Sequence, residues 1–397
     1  MNNSTLTSRI ESVGLYSLIA SCFFIPFSSS LMAATTILAL ICWIASGKIR
    51  ELPELLLTNK LALLSTALFF LLIAGVFYSP AETGDALSTL KKYRELILFV
   101  MTLSYLREKA SKAELAEKFY LAGSILLLSI SYSMYFGLIP TEKFGYSTVY
   151  HITHSFFMAI LAFWALQKII VSPNFRIFWC FIFIATDINL FYIAPGRTGM
   201  FVFVALAFLT IFQHLSLKKS LIGMLICGIA TGATFISSEN FSTGFHEAVV
   251  EIQNYHPGSS RTSLGMRFDW WHNSISLIKE KPLLGHGTGS FEVEQKRLIK
   301  GTKTMKSDNP HNEYLLIGVQ VGLVGVVLYL TLLGGLFGAS FKKRKPYNFL
   351  LQGVVVAMFC GCLMNSFLFD SHQGHFFAII SAILISTQTK VLQLNSS

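Results

Sequence analysis

Charge is what this chain has little of. Only 13% of its 397 residues are Asp, Glu, Lys or Arg, against about 25% in a soluble globular domain. Hydrophobic residues make up 53%, and the mean hydropathy is +0.58. A soluble fold of this length has no place for so much apolar surface, so the bilayer must be its solvent. Cysteine is scarce where it would matter: Cys22, Cys42, Cys180, Cys227, Cys360 and Cys362 all fall in apolar stretches. That argues against a disulfide framework, and Cys360 and Cys362 read as two small buried residues. HExxH and paired CxxC motifs are missing, and the acidic residues of the polar segment are scattered, so no metal site is expected. No internal repeat is found. The first apolar stretch runs straight into a second without a small-residue cleavage site, so no cleavable signal is expected.

What is present is an all-α, polytopic membrane pattern. Twelve apolar segments can be counted, at about 13–28, 30–47, 61–78, 92–106, 118–138, 152–171, 175–193, 198–214, 220–236, 313–338, 348–368 and 373–390. Most approach the roughly 20 residues that span about 30 Å of hydrocarbon. Three regions follow: 1–236 with nine transmembrane helices, a polar segment at 237–312, and 313–397 with three more. With both termini on the cytoplasmic side, 17 Lys and Arg lie inside and 5 lie in the short outer loops, with 9 in the polar segment. This bias faces the polar segment outward, which in a bacterium would be the periplasm. The net charge of +10 is then explained by topology, and nucleic acid is not an expected partner.

The polar segment has an order of its own. Phe241, Phe245, Val249 and Ile252 recur at helical spacing, which predicts an amphipathic helix over 239–254 lying on the membrane. Pro257 and Gly258 break it. A second helix is expected over 267–281, with Trp270 and Trp271 anchoring it in the headgroup layer. Gly285, Gly287 and Gly289 then form a tight turn that lets backbones approach closely. A dinucleotide reading of these glycines fails, because no strand precedes them. A short polar helix around 290–300 and a loop over 303–309 deliver His311 to the next span.

Several side chains in this pattern suit chemistry on a phosphate. Arg197 opens a helix after Pro195 and Gly196, where its guanidinium adds to the positive end of the helix dipole; an arginine touching lipid headgroups is the plainer reading. Arg261 and Arg267 precede or open the second polar helix, and guanidinium forks match phosphate oxygens, although each alone also reads as a surface charge. His311 can take a proton near neutral pH. Asp308 would either orient that ring or cap the following helix. Lys91, Lys92 and Arg94 are outward exceptions to the charge bias, either snorkelling at the interface or forming an anion-binding rim.

The run from Gly265-Met266-Arg267-Phe268-Asp269-Trp270-Trp271 through Lys281-Pro282-Leu283-Leu284-Gly285-His286-Gly287-Thr288-Gly289-Ser290-Phe291 to Pro310-His311-Asn312-Glu313-Tyr314 and Gly322-Leu323-Val324-Gly325 resembles the O-antigen ligase/O-antigen polymerase superfamily, with Pro195-Gly196-Arg197 matching its upstream arginine element. Order and spacing carry the resemblance. It implies a GT-C-like glycosyltransferase whose donor is undecaprenyl-pyrophosphate-linked O-antigen and whose acceptor is lipid A–core, working among membrane lipids without metal or other cofactor. One large, late outer loop is most similar to the ligase; polymerase and protein O-oligosaccharyltransferase are the alternatives within the superfamily. A lipid-linked sugar transporter is the alternative outside it. The resemblance implies Arg197, Arg267 and His311 as the essential residues, with Lys91, Lys92 and Arg94 toward the donor. Asp308, Asn312, the three turn glycines and, ranked lower, Arg261 would support them.

Overall fold

The computed structural model describes residues 3–107, 109–141, 143–171, 174–342 and 345–394. These form α1 (Asn3–Phe24), α2 (Ser29–Ala45), a 3-10 turn (Lys48–Glu51), α3 (Leu52–Thr58), α4 (Lys60–Val76), α5 (Thr83–Lys92), α6 (Glu95–Leu106), α7 (Ala110–Tyr135), α8 (His151–Val171) and α9 (Arg176–Ile188), which continues as a π-turn (Asn189–Ile193). Then come α10 (Arg197–His214), α11 (Leu217–Ser237), α12 (Glu239–Gln253), α13 (Ser263–Glu280), α14 (Phe291–Leu298), α15 (Glu313–Ser340), α16 (Tyr347–Met364) and α17 (Ser371–Leu394). No strand element occurs among the described residues.

Among the described residues, six helices are long and apolar enough to cross a bilayer: α8, α9 with its π-turn, α10, α11, α15 and α16. Counting α2 with its 76° bent continuation (Lys48–Thr58) makes seven. The other segments of the twelve-segment reading are shorter or more polar. The apolar run at 92–106 holds only a 12-residue helix, α6, because Tyr93 and Arg94 end α5 before it. The first turns of α7 carry Lys112, Glu114, Glu117 and Lys118.

The core gathers where α8 and α17 are enclosed. α8 packs on α9 and α10, and α17 on α6, α7 and α16. Phe156, Phe157, Trp164, Phe367, Phe376 and Phe377 are buried at this centre. α11 leans on α10 and α12 and keeps Leu221, Leu225 and Ile229 exposed, as suits a helix whose other neighbour is hydrocarbon. The polar segment is helical as its periodicity predicts, with α12 and α14 close to their expected ends and α13 starting four residues early, at Ser263. Thr262 caps α13, accepting from the Gly265 amide, which satisfies one of the free first-turn donors.

α15 is broken inside its apolar run: Val321 and Gly322 leave helical geometry, with Gly322 at φ 67°. A broken helix at membrane depth exposes backbone groups that lipid cannot satisfy. The glycine turn supplies them. Amides of His286 and Gly287 donate to the carbonyls of Val319 and Gln320 at 2.7 and 2.8 Å, and Leu323 N–H donates to Pro282 O at 2.8 Å. On its other side the turn meets the end of α4: Thr288 N–H donates to Gly75 O at 3.0 Å and Thr288 Oγ1 to Leu72 O at 2.6 Å.

Gly287 has φ 103°, and a Cβ there would lie 2.4 Å from Ser79 Cα and 2.7 Å from Gly75 O. Gly287→Ala is therefore expected to cost about 2–4 kcal/mol through strain and forced separation. Gly84→Ala, in open space on α5, is the matched control, expected to be neutral or slightly stabilising. Thermal unfolding of the detergent-purified variants measures both.

Candidate functional site

The site is assembled where α8, α10, α13 and the loops around α15 and α17 end. Arg197 is the first residue of α10 and is exposed. Its Nη2 donates to Glu247 Oε2 at 2.6 Å, and its Nη1 lies 3.7 Å from Glu251 Oε1, both on α12. Glu251 also accepts from the Leu264 amide at 2.7 Å, so one carboxylate joins α12 to the start of α13.

Arg267, one turn into α13, is half-buried and makes no hydrogen bond or ion pair among the described residues. Burial and then the neighbouring charge of Arg197 hold its guanidinium below the usual arginine range, offset by Tyr150 and Glu251. It stays cationic at neutral pH. Two cations set close together, one without a partner, form a place where an anion gains by binding.

His311 is the third member. Its backbone is left-handed, φ 53°, a conformation that costs a non-glycine residue about 1–3 kcal/mol and survives only when its surroundings over-determine it. They do. Asn309 Oδ1 accepts from the His311 amide at 2.8 Å and from Ser366 Oγ at 2.7 Å. Trp271 Nε1 donates to Pro310 O at 2.9 Å, Trp270 Nε1 to Met305 O at 2.9 Å, and the Trp270 ring lies 5.4 Å from the imidazole. The two tryptophans, expected as headgroup anchors, face inward and clamp the histidine loop.

The imidazole is oriented by a residue the sequence did not single out. His311 Nδ1 lies 2.7 Å from Asn365 Oδ1, and Asn365 Nδ2 donates to Asp370 Oδ2 at 2.8 Å. Because the amide of Asn365 points its NH2 at Asp370, its oxygen must face the ring. Nδ1 is then the protonated nitrogen, and Nε2 of the neutral ring carries the lone pair. Burial pushes the His311 pKa below its ordinary 6.5; the Asn365 hydrogen bond and Asp308 pull it up, and Arg267 pushes it further down. Burial raises Asp370 to about 7, against the pull of Lys92.

The remaining predicted residues divide. Asn312 caps α15 through the Leu315 amide at 3.1 Å and holds Leu363 O at 3.1 Å. Asp308 makes no hydrogen bond to the ring and lines a neighbouring cleft. Gly285, Gly287 and Gly289 build the inserted turn. Arg261 points to the Met305 sulfur. Arg94 is committed to Lys91 O at 3.0 Å and Ser371 Oγ at 3.2 Å, with Glu95 at 3.6 Å. Lys92 stands 3.9 Å over the Phe369 ring, and Lys91 is exposed. Glu313, fully buried, ties these parts together. It accepts from Tyr93 at 3.2 Å and from the amides of Leu368 and Phe369 at 2.9 and 3.0 Å. Glu280, His286 and Glu294 also converge within 4.8 Å. Arg297 bridges the two carboxylates and His286 Nε2 donates to Leu277 O, so this cluster already holds its own cation.

Comparison with known proteins speaks to the family. Residues 181–330 match the family model described as O-antigen ligase. An uncharacterized protein of Haemophilus influenzae is 31% identical over 169 residues, 40% of this chain and 40% of that protein. An O-antigen ligase of Escherichia coli is 24% identical over 152 residues, 36% of each chain. The matches span about two fifths of the length of these relatives. The segment from α9 to the middle of α15 carries the signature of the O-antigen ligase superfamily.

The clamp on the histidine loop is testable. Trp271→Phe keeps the ring and removes the Nε1–H bond to Pro310, a loss of about 1 kcal/mol. The amides of Asn309, His311, Asn312 and Glu313 should then exchange faster by hydrogen–deuterium mass spectrometry, with those of α8 unchanged.

Proposed function

We propose that the protein transfers O-antigen polysaccharide from undecaprenyl pyrophosphate to a sugar of lipid A–core, at the periplasmic face of the inner membrane. The observation that carries this reading is the unpartnered, half-buried guanidinium of Arg267 beside Arg197 and an imidazole whose Nε2 is left free. The reading implies a GT-C-like arrangement of twelve spans with both termini inside, and the charge bias of the loops supports that orientation.

The donor needs no activation, because diphosphate is a good leaving group. Arg267 and Arg197 hold it, and its oxygens replace Glu247 and Glu251 on the Arg197 guanidinium. The acceptor hydroxyl gives its proton to His311 Nε2 as its oxygen bonds to the anomeric carbon. The bond from that carbon to the diphosphate oxygen breaks with its electron pair, and the arginines take up the growing charge. Attack opposite the leaving group inverts the anomeric centre. Holding both lipid-borne substrates in line supplies much of the rate. Asn365 and Asp370 act through His311 as positioning residues. Among the superfamily alternatives, a polymerase would use the same chemistry on a second lipid-linked repeat, and a protein O-oligosaccharyltransferase on a protein hydroxyl.

Purified protein mixed in detergent with lipid-linked O-antigen and lipid A–core, without ATP or added metal, should form ligated product. Arg197→Ala, Arg267→Ala and His311→Ala should each lower kcat by roughly 100- to 1000-fold with normal membrane expression. Transport in vesicles without product under any condition would establish the transporter instead.

The pH profile tests the histidine. Activity should rise with pH through a limb set by His311, below 6.5. Asn365→Ala removes the hydrogen bond that raises the imidazole pKa, so the limb should move to lower pH while kcat falls. A lower kcat with an unmoved limb would separate Asn365 from the ring.

A further inference from the structure

We infer that His286, Glu294 and Glu280 form a structural site for a divalent transition ion of the zinc class, which pins the glycine turn between α13 and α14. Glu280 ends α13, His286 lies in the turn, and Glu294 stands in the first turn of α14. The missing ligand motifs led the sequence reading to expect no metal site. These three residues are brought together by the fold alone, and their ligand atoms converge within 4.8 Å.

An orphaned nitrogen carries the inference. His286 is buried, and its Nε2 lies 2.9 Å from Leu277 O. A carbonyl only accepts, so Nε2 holds the proton, and Nδ1 of the neutral ring holds the lone pair. Nδ1 makes no hydrogen bond. It faces Glu294 Oε1 at 3.5 Å, so two lone pairs are aimed into one gap. A second proton on the ring would draw the two groups to about 2.7–2.9 Å. Two ligands of one tetrahedral zinc, each about 2.0–2.2 Å from the ion, stand roughly 3.4 Å apart. The gap has the second spacing. The bond from Nε2–H to a backbone carbonyl is also the common support of a metal-bound imidazole.

Arg297, the cation at the rim of this cluster, does not close the gap. It is bonded to Glu294 Oε2 at 2.6 Å and to Glu280 Oε2, which leaves Glu294 Oε1 to the imidazole. One imidazole with two carboxylates favours zinc-class ions over calcium and magnesium, which prefer oxygen throughout. Glu280 is exposed, so water can complete a fourth position. The His286 amide donates to Val319 O beside the break in α15. An ion on the ring of that residue would therefore tie α13 and α14 to the break, in a polar segment that has no cysteine for the purpose.

The full-length protein, purified in detergent without a histidine tag and stripped with EDTA, is titrated with zinc chloride. One zinc should bind per chain and raise the unfolding temperature by roughly 5 °C, and magnesium should not. Glu280→Gln and Glu294→Gln should each weaken zinc binding by roughly tenfold or more. X-ray absorption at the zinc edge of the loaded wild type, which needs no variant to fold, should show a single imidazole among oxygen neighbours at about 2.0–2.2 Å. No saturable binding by the wild type overturns the site. So does an affinity unchanged in both variants, or an ion that carries two or more imidazoles. None of these measurements involves a glycan, so their outcome is separate from that of the transfer reading.

Discussion

The structure depends on a helix that is interrupted where interruption is expensive. Each unsatisfied backbone group in a lipid environment costs several kcal/mol, so the break at Val321 and Gly322 in α15 persists only because another piece of backbone pairs with it. That piece is the glycine turn, which also bonds to the end of α4. Once it is inserted, α13 before it and α14 after it have little freedom. α13 then presents Arg267 and both tryptophans, and the tryptophans fix the loop that carries His311. The polar segment is held by main-chain hydrogen bonds into the membrane layer, and the strained histidine backbone is supported from that anchorage.

The electrostatics have the same economy. Two guanidinium groups placed close together repel each other, and neighbouring carboxylates pair with only one of them. Glu247 and Glu251 neutralise Arg197 from an exposed helix, where such a pair contributes at most about 1 kcal/mol. A diphosphate competes with them easily. Arg267 makes no ion pair or hydrogen bond among the described residues, and its partial burial strengthens its attraction for an anion that reaches it. The asymmetry suits the proposed transfer, in which the site accepts a charged donor and releases a free diphosphate.

Much of this was legible in residue order. The three turn glycines could be read as a close-approach device because nothing else explains glycine at every second position, and their positive φ values and tight neighbours agree. Arg197 was legible as a helix-opening residue from the Pro-Gly before it. What could not be read was partnership across the chain. Asn365 and Asp370 stand more than fifty residues after His311, at the polar end of an apolar helix, where an amide and a carboxylate look like ordinary caps. Glu313 reads as a first-turn acid, yet it is the buried acceptor that joins the Tyr93 corner to the 368–369 backbone. Trp270 and Trp271 were misplaced because the headgroup preference of indole is a statistical habit, and here each N–H found a carbonyl inside the protein. Asp308, beside the histidine in sequence, points to the cleft. Proximity along the chain suggested an orienting role that a distant asparagine fills.

The placement of buried charge supports the proposed transfer over transport of the same substrates. A transporter binds its cargo near the middle of the bilayer, on broken helices with ionisable groups in the spans. This chain has a broken helix too, but the break at Gly322 is filled by its own glycine turn and offers no vacancy. Several of its buried ionisable groups lie at helix starts, although Glu117, paired with Lys168, is buried farther along α7. Glu95 opens α6 and meets His375, in the second turn of α17, at 3.1 Å. Through the Tyr93–Glu313 hydrogen bond, this pair lies at the same end of the bundle as His311. Asp187 is the exception in sequence, yet it stands two residues before the π-turn that leads to Arg197. Glu95, His375 and Glu313 therefore gather at the end of the bundle that carries the imidazole. Under the proposed transfer, such a cluster can hold a reaction between two molecules that stay in the membrane.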